Sequence, residues 1–207
     1  MNINDISIFG HYTNEENRAT SALLKILSVG GTQFISDVVK DLIKNWKPYE
    51  GIQITTQFAT QPKASVYDGL LQSNFSFDLI IESKIYPNSI CKGSQLDNLK
   101  KKSKKLNTYV LYITPDVKSP ILLKGTEISW CTWEDVISSL QKHNTQKEPL
   151  NYLIEQFSLY LIDLDLTNAK NRVVIAAGGR GRDIALKYEF YTCQNNRTMK
   201  SCKYLAF

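Results

Sequence analysis

Two apolar, strand-like segments separated by a short polar break constrain the fold of this 207-residue chain more than any other feature. The first is Tyr67-Asp68-Gly69-Leu70-Leu71, and the second extends from Phe77 to Ile85. Because a turn around residues 73–76 can join them, the two segments predict an antiparallel hairpin. The middle of the second segment, residues 79–81, is a continuous apolar run, which is typical of a strand that is buried on both faces.

Three of the charged side chains on these segments, Asp68, Glu82 and Lys84, stand where a purely structural sequence would place none. In a strand alternate side chains share a face, so Glu82 and Lys84 point the same way, roughly 6 to 7 Å apart. A loop centred on Phe75 would place Asp68 opposite Glu82, on the same face of the hairpin. Glu82 and Lys84 could instead form a solvated ion pair on an edge strand. The apolar run favours burial, where charges are costly unless they are paired or metal-bound.

Two carboxylates that converge beside a lysine suit a hard cation. Mg²⁺ and Mn²⁺ prefer carboxylate and water ligands to imidazole or thiolate. Such an ion lowers the pKa of bound water and acts as a Lewis acid on a phosphoryl oxygen, so no histidine is needed. That chemistry suits a chain whose only histidines are His11 and His143. The pattern therefore predicts metal-assisted attack of water on a phosphodiester.

The arrangement of Asp68, Glu82 and Lys84 resembles the PD-(D/E)XK nuclease superfamily, although Tyr67 stands where the motif's proline would be. The resemblance implies an α/β fold, with a restriction-endonuclease-like mixed central sheet flanked by helices. It also implies that Asp68 and Glu82 ligate Mg²⁺ or Mn²⁺, with the backbone carbonyl of Ser83 as a third ligand. Lys84 would orient or deprotonate the attacking water, or stabilise charge on the phosphate.

The flanking segments carry the resemblance further. Glu16 lies in a predicted first helix, where such nucleases commonly have an acidic residue at the rim of the site, and Gln95 opens a later helix, where many members have a glutamine near the metal. Glu16 also fits a capping box with Thr13, a structural role that is compatible with the first. Asp78 is the alternative to Asp68, but along an extended strand it is roughly 13 Å from Glu82, too far to share a metal ion.

A run of lysines follows the predicted site. The formal net charge of the chain is +5, which is consistent with attraction to a polyanion. The lysines could contact a phosphate backbone, or they could form the solvated last turn of a helix, where cations suit the helix dipole. The lysines are Lys92, Lys100, Lys101, Lys102, Lys104 and Lys105. We expect a nucleic-acid partner, with DNA favoured over RNA, and a homodimer would allow cuts in both strands.

The chain is predicted to have two regions. Residues 1–143 form the nuclease-like core, with helices over residues 13–28 and 32–46 on either side of Gly30-Gly31. Thr132 is predicted to cap a further helix that extends through Leu140. Residues 144–207 comprise a helix, Leu150 to Leu164, and a small α/β unit. The polar stretch from Lys142 to Glu148 separates the regions. The apolar ending at residues 204–207 suggests a truncated further region, which could be the part that selects the substrate.

A glycine-rich turn lies in the small C-terminal unit, between a predicted strand and a predicted helix. Such a turn can bind an anion through backbone N–H groups, or it can simply be a tight connection. Its residues are Gly178, Gly179, Arg180, Gly181 and Arg182. The turn suggests a nucleotide-sensing or anion-sensing module as an alternative function. A second alternative is a nucleic-acid-binding module of the same fold that has lost catalysis.

The cysteines and the N-terminus bear on the compartment. Cys91, Cys131, Cys193 and Cys202 show neither C-x-x-C spacing nor nearby histidines for zinc, so we interpret them as reduced packing residues. The N-terminus has no basic segment followed by an apolar one, and no uninterrupted apolar run reaches 18 residues. We therefore expect a cytoplasmic protein without a membrane partner.

Overall fold

A computed structural model describes residues 12, 14–43, 46, 51–59, 66–73, 77–90, 93–144 and 149–167, without the side chains of residues 55–59 and 66. Helices and strands make up most of this part of the chain. In chain order they are α1 (Glu15–Leu42), β1 (Ile52–Ala59), β2 (Val66–Ser73), β3 (Phe77–Ser83), α2 (Ser94–Ser103), β4 (Thr108–Thr114), β5 (Ser129–Thr132), α3 (Trp133–His143) and α4 (Leu150–Asp163). The predicted α/β class is confirmed.

The five strands form one mixed sheet in the order β1-β2-β3-β4-β5. β1, β2 and β3 pair antiparallel, whereas β3, β4 and β5 pair parallel. β3 is therefore the strand at which the sheet changes from antiparallel to parallel pairing. The connection from β3 to β4 contains α2, as a parallel crossover requires.

The predicted hairpin has the expected register. Ser73 pairs with Phe77 and Gly69 pairs with Ile81, so Asp68, one position beyond Gly69, is level with Glu82. In both pairs the midpoint of the two residue numbers is 75, which is the predicted centre of the loop. The register therefore confirms the expectation that Asp68 and Glu82 lie opposite each other.

The sheet is covered on both faces. One apolar core joins the sheet to α1, α3 and α4, and it includes Leu79 and Ile81. The other joins the sheet to α2, and it includes Ile80 and Leu99. Consecutive residues of β3 thus enter different cores, which confirms that this strand is buried on both faces.

Helix α1 has a kink where the sequence predicts two separate helices. Gly31 has φ 77° and ψ 177°, which is not a helical conformation. By length and mean hydropathy α1 could also cross a membrane, although 56% of its apolar window is buried inside the fold. The sequence does not predict a possible membrane span here, because the residues of α1 do not form an uninterrupted apolar run.

The predicted helix cap at Thr132 is confirmed. The Thr132 side chain accepts from the Asp135 backbone N–H, and the Asp135 side chain accepts from the Thr132 backbone N–H, which completes a capping box. Cys131, just before the cap, is free and buried as expected. The other three cysteines lie outside the described residues.

The chain divides into two units, Met1–Leu166 and Thr167–Phe207. Helix α4, which the sequence assigns to the C-terminal region, packs against α1 and α3 within the first unit. The predicted small α/β unit and its glycine-rich turn, residues 178–182, lie outside the described residues.

The kink at Gly31 gives a prediction for stability. A Cβ at this position would meet no atom within 4 Å, so Gly31→Ala would strain only the backbone. A conformation with φ 77° and ψ 177° is accessible almost only to glycine, and forcing another residue into it costs about 1–3 kcal/mol. We expect urea denaturation to show that loss in the free energy of unfolding.

Val29→Ala is the matched control, because Val29 lies in the same helix and is 45% exposed. Its effect should stay within about 0.5 kcal/mol. Equal stability of Gly31→Ala and the wild type would show that the kink is not required in the folded protein.

Candidate active site

The charged side chains of the hairpin meet at the carboxyl end of β3. In open sheets with parallel strands, ligands commonly bind beyond the carboxyl ends of the strands. β3 is one of the parallel strands, since it pairs antiparallel with β2 but parallel with β4. The sheet thus places Asp68, Glu82 and Lys84 at the end of the strand where its pairing changes.

The Lys84 ammonium is held by three oxygen acceptors. Its Nζ lies 2.8 Å from Glu16 Oε1, 2.9 Å from Glu82 Oε1 and 2.7 Å from the Ser83 carbonyl oxygen. The side chain of Lys84 is only 13% exposed. Lys84 therefore joins the first turn of α1 to the end of β3, and Glu16 belongs to the charged cluster as the sequence predicts.

Glu82 is the most deeply buried member of the cluster, with 1% of its surface exposed. Its Oε1 accepts from Lys84 Nζ at 2.9 Å and from Gln95 Nε2 at 2.7 Å. Its Oε2 is also buried, and within the described part of the chain it has no hydrogen-bond partner. Gln95 thus reaches the site from the first turn of α2 as expected, and one oxygen of Glu82 is left to bind a ligand.

Asp68 is fixed by a relay that the sequence does not predict. Its Oδ2 accepts from the Ser83 backbone N–H at 2.8 Å and from Ser83 Oγ at 3.2 Å. The Ser83 hydroxyl lies 2.6 Å from Thr20 Oγ1, and Thr20 Oγ1 donates to the Glu16 carbonyl at 3.1 Å. The relay ties Asp68 to α1. The one feature of the sequence that could have indicated it is Thr20, a polar residue on the apolar face of that helix.

The backbone of Lys84 is anchored from two sides. Its N–H donates to the Ile113 carbonyl of β4 at 2.8 Å, and its carbonyl accepts from Trp133 Nε1 at 2.9 Å. Trp133 is completely buried at the start of α3. These bonds hold the chain extended for one residue beyond β3, so the Lys84 side chain starts from a fixed point.

Burial and crowding of like charges shift the pKa values of the carboxyl groups upward. Burial, followed by the nearby charge of Asp68, raises the pKa of Glu82 to about 7, although Lys84 opposes the shift. Burial also raises the pKa of Asp68. Burial opposes the charged form of Lys84, but Glu82, Glu16 and Asp68 outweigh it and raise its pKa. Lys84 is therefore an ammonium at neutral pH.

Asp78, the alternative to Asp68, is not part of the cluster. It accepts a hydrogen bond from Gln72 Nε2 at 2.7 Å, and its register partner in β4 is Thr108, at the opposite end of β3 from Glu82. The structure therefore supports Asp68 as the second acid of the site.

The expected capping box at the start of α1 is wrong in its cap residue. The N-cap is Asn14, whose side chain accepts from the Glu16 backbone N–H at 2.8 Å. The Glu16 carboxylate is directed instead to Lys84. An asparagine, which is as good an N-cap as threonine, stands one position closer to the helix and takes the role.

The lysine run lies farther from the site than Gln95. Lys100, Lys101 and Lys102 are in the last turn of α2, about 8–10 Å along the helix axis from Gln95 at 1.5 Å per residue. Lys104 and Lys105 follow the end of the helix, and Lys92 lies outside the described residues. This distance is comparable with the Debye length at physiological salt, so these charges could act on a neighbouring phosphate.

The donor set fits a divalent cation of the hard class. Within the described ranges, no three His, Cys, Asp or Glu side chains gather closely enough to enclose a metal ion by themselves. Asp68, Glu82 and the Ser83 carbonyl would share such an ion with water, as Mg²⁺ usually does. The three carboxylates and one ammonium carry a formal excess of negative charge, which a divalent ion would balance, and the unpartnered Glu82 Oε2 offers it a lone pair.

The raised pKa of Glu82 predicts how stability depends on pH in a metal-free buffer. Because its pKa rises from 4.5 to about 7 on folding, the folded protein binds a proton that the unfolded chain has released. The free energy of unfolding should therefore fall as pH rises from about 4.5 to about 7, by up to about 1.4 kcal/mol per pH unit. Urea denaturation across this range measures the slope.

Glu82→Gln is the matched variant, because it keeps the shape of the side chain without the titration. Its slope should be flatter than that of the wild type. The pKa of Asp41 is lowered from 3.8, mainly by its hydrogen bond to Lys142. Asp41 therefore titrates below pH 4.5 and does not contribute to the slope between pH 4.5 and 7. An unchanged slope in Glu82→Gln would contradict the prediction.

No protein-family model, curated protein or solved structure matches the chain.

Proposed function

We propose that this protein is a divalent-metal-dependent endonuclease that hydrolyses phosphodiester bonds in DNA. The observation that carries the proposal is the convergence of Asp68, Glu82 and Lys84 at the carboxyl end of β3, with a Glu82 oxygen that is buried and unpartnered among the described residues. Burying an ionised carboxylate is costly. A cluster of three carboxylates and one ammonium is therefore better explained by a bound cation than by a role in folding.

The order of the elements supports a restriction-endonuclease-like fold as the finer assignment. An N-terminal helix with an acidic residue precedes a hairpin that carries Asp68 and Glu82. A helix that begins next to Gln95 then crosses to two parallel strands. This is the arrangement that the resemblance to the PD-(D/E)XK superfamily implies. That resemblance alone extends the proposal to a role in restriction or defence and to a homodimer.

Each residue of the cluster has a role in this reaction. Mg²⁺ or Mn²⁺, held by Asp68, Glu82 and the Ser83 carbonyl, would supply Lewis acidity and an activated water. Lys84, an ammonium, places positive charge beside the phosphoryl oxygens, where negative charge grows in the transition state. Glu16 and Gln95 orient Lys84 and Glu82 through the hydrogen bonds that they make.

The lysines at the end of α2 are proposed to contact the DNA backbone. At about 8–10 Å from Gln95 along the helix axis, Lys100–Lys102 would reach a phosphate beyond the scissile one. Such contacts give affinity that is independent of sequence and weakens with salt. They hold the polymer, whereas Asp68, Glu82 and Lys84 act on the bond that breaks.

A cleavage assay tests the proposed activity. In Mg²⁺ or Mn²⁺ the wild type should cut at least one of duplex DNA, single-stranded DNA and RNA, with DNA favoured. Lys84→Ala should lower kcat roughly 10²- to 10³-fold, because it removes charge stabilisation in the transition state. Glu82→Gln should require more metal and lose most of its activity.

Asp78→Asn is the matched control for Glu82→Gln, since both change an acid of β3 but the Asp78 carboxylate accepts from Gln72 at the opposite end of the strand. It should cut like the wild type. Equal cleavage by the wild type, Glu82→Gln and Lys84→Ala would refute the proposed site, and no cleavage of any polymer by the wild type would refute the activity.

The relay through Ser83 gives a prediction for the affinity of the site for a metal ion. Ser83→Ala removes the hydroxyl that bonds to Asp68 and Thr20 but keeps the backbone N–H. Removing such outer hydrogen bonds typically costs 10- to 100-fold in metal affinity. We expect the Kd for Mn²⁺, measured by calorimetry, to rise about tenfold.

Ser139→Ala is the control for this variant. Ser139 is also a buried serine with bonds to a carboxylate and a carbonyl, those of Asp41 and Val38, but it lies outside the site. It should leave the affinity for Mn²⁺ unchanged. If both serine variants changed that affinity equally, Ser83 would have only a structural role.

A further inference from the structure

A groove opens beside the charged cluster and shares one residue with it. Its walls are Asn14, Glu15 and Glu16 of the first turn of α1 and Ile85 and Tyr86 beyond β3, and its volume is about 460 Å³. Clefts that bind small organic groups have volumes of about 300–1,000 Å³. Glu16 lines the groove and also bonds to Lys84, so an occupant would lie next to the proposed phosphodiester site.

One wall of the groove is an exposed aromatic ring on a fixed backbone. Tyr86 is 63% exposed, whereas Ile85 before it is buried in the core. The Tyr86 carbonyl accepts from the backbone N–H and from the hydroxyl of Ser89. The turn is tied to the next loop by a 2.9 Å bond from the Asn88 N–H to Asp116 Oδ1. The backbone that carries the ring is therefore held, while most of the side chain is exposed to solvent.

The opposite wall is rich in hydrogen-bond acceptors and bears negative charge. Glu15 and Glu16 repel a phosphate, so the groove does not suit a second segment of polymer backbone. Carboxylates do accept hydrogen bonds from the exocyclic amino groups of nucleobases, as in glutamate contacts to cytosine N4. An aromatic ring and carboxylates that line one groove beside the proposed phosphodiester site match a base better than a sugar or a phosphate.

We propose that this groove binds one unstacked nucleobase next to the scissile phosphate, with Tyr86 stacking on it and Glu15 accepting from its amino group. The inference rests on the proposed function, since it names the substrate class as single-stranded or locally opened DNA. A base within an intact duplex is stacked and paired and could not enter. Cytosine, adenine and guanine carry an amino group and thymine does not, so thymine is the weakest occupant.

Binding measured without turnover tests the groove. Fluorescence anisotropy in EDTA compares single-stranded homopolymers of cytidine, adenosine and thymidine with an abasic strand of equal length and charge. The wild type should bind the cytidine and adenosine strands on the order of tenfold more tightly than the abasic strand, as stacking on one aromatic side chain provides. The affinity for the thymidine strand should lie between the affinities for the cytidine and adenosine strands and the affinity for the abasic strand.

Tyr86→Ala should bind all four strands with the weak affinity of the abasic one, and Tyr86→Phe, which keeps the ring, should resemble the wild type. Tyr152→Ala is the matched control, since Tyr152 is 51% exposed but lies on α4 and not in the groove. The proposal would be overturned if Tyr86→Ala still bound the strands in a base-dependent way. It would also be overturned if the wild type showed no base-dependent binding.

The two proposals fail in different ways. If the wild type distinguishes bases through Tyr86 but cuts no polymer, the nuclease activity is refuted and the base-binding groove stands. If the wild type cuts DNA but does not distinguish an abasic strand from the others, the groove is refuted and the nuclease stands.

Discussion

The ion pair between Lys84 and the buried carboxylate of Glu82 is the interaction on which the rest of the structure depends. Glu82 is 1% exposed, so water cannot offset the cost of its charge, and an uncompensated buried ion costs several kcal/mol. Lys84 and Gln95 compensate one oxygen, and burial still raises the pKa of the group to about 7. Apolar residues would pack this position more stably. The fold therefore keeps a costly group at this position, which is expected of a functional site.

The sequence predicts those parts of the site that depend on local periodicity. Side chains alternate along a strand, so the spacing of Glu82 and Lys84 fixes their common face, and a short loop fixes the register that puts Asp68 level with Glu82. The glycine pair in α1 and the cap at Thr132 are also local signals, and both appear where expected. Each of these features is determined by a few adjacent residues, so no knowledge of the packing is needed.

The remaining parts of the site depend on contacts between distant segments. Thr20 and Ser83 are 63 positions apart, and Glu16 and Lys84 are 68 positions apart. Each pair meets only because α1 packs on the sheet at one angle and depth. The sequence could place Glu16 at the rim by resemblance, but it could not distinguish a bond to Lys84 from a capping box. The Trp133 bond to the Lys84 carbonyl is hidden for the same reason, since a buried tryptophan normally indicates only a core position.

The end of β3 is held rigidly beside an open groove. Its last residues are held by α1 through Thr20, by β4 through Ile113 and by α3 through Trp133. These partners lie along the neighbouring strand β4 and on the one face of the sheet that α1 and α3 cover. The chain then turns outward at Tyr86, which leaves the side next to Glu16 open as a groove. A rigidly held charged cluster beside an open groove suits electrostatic preorganisation, which requires the charges to be fixed before a ligand binds.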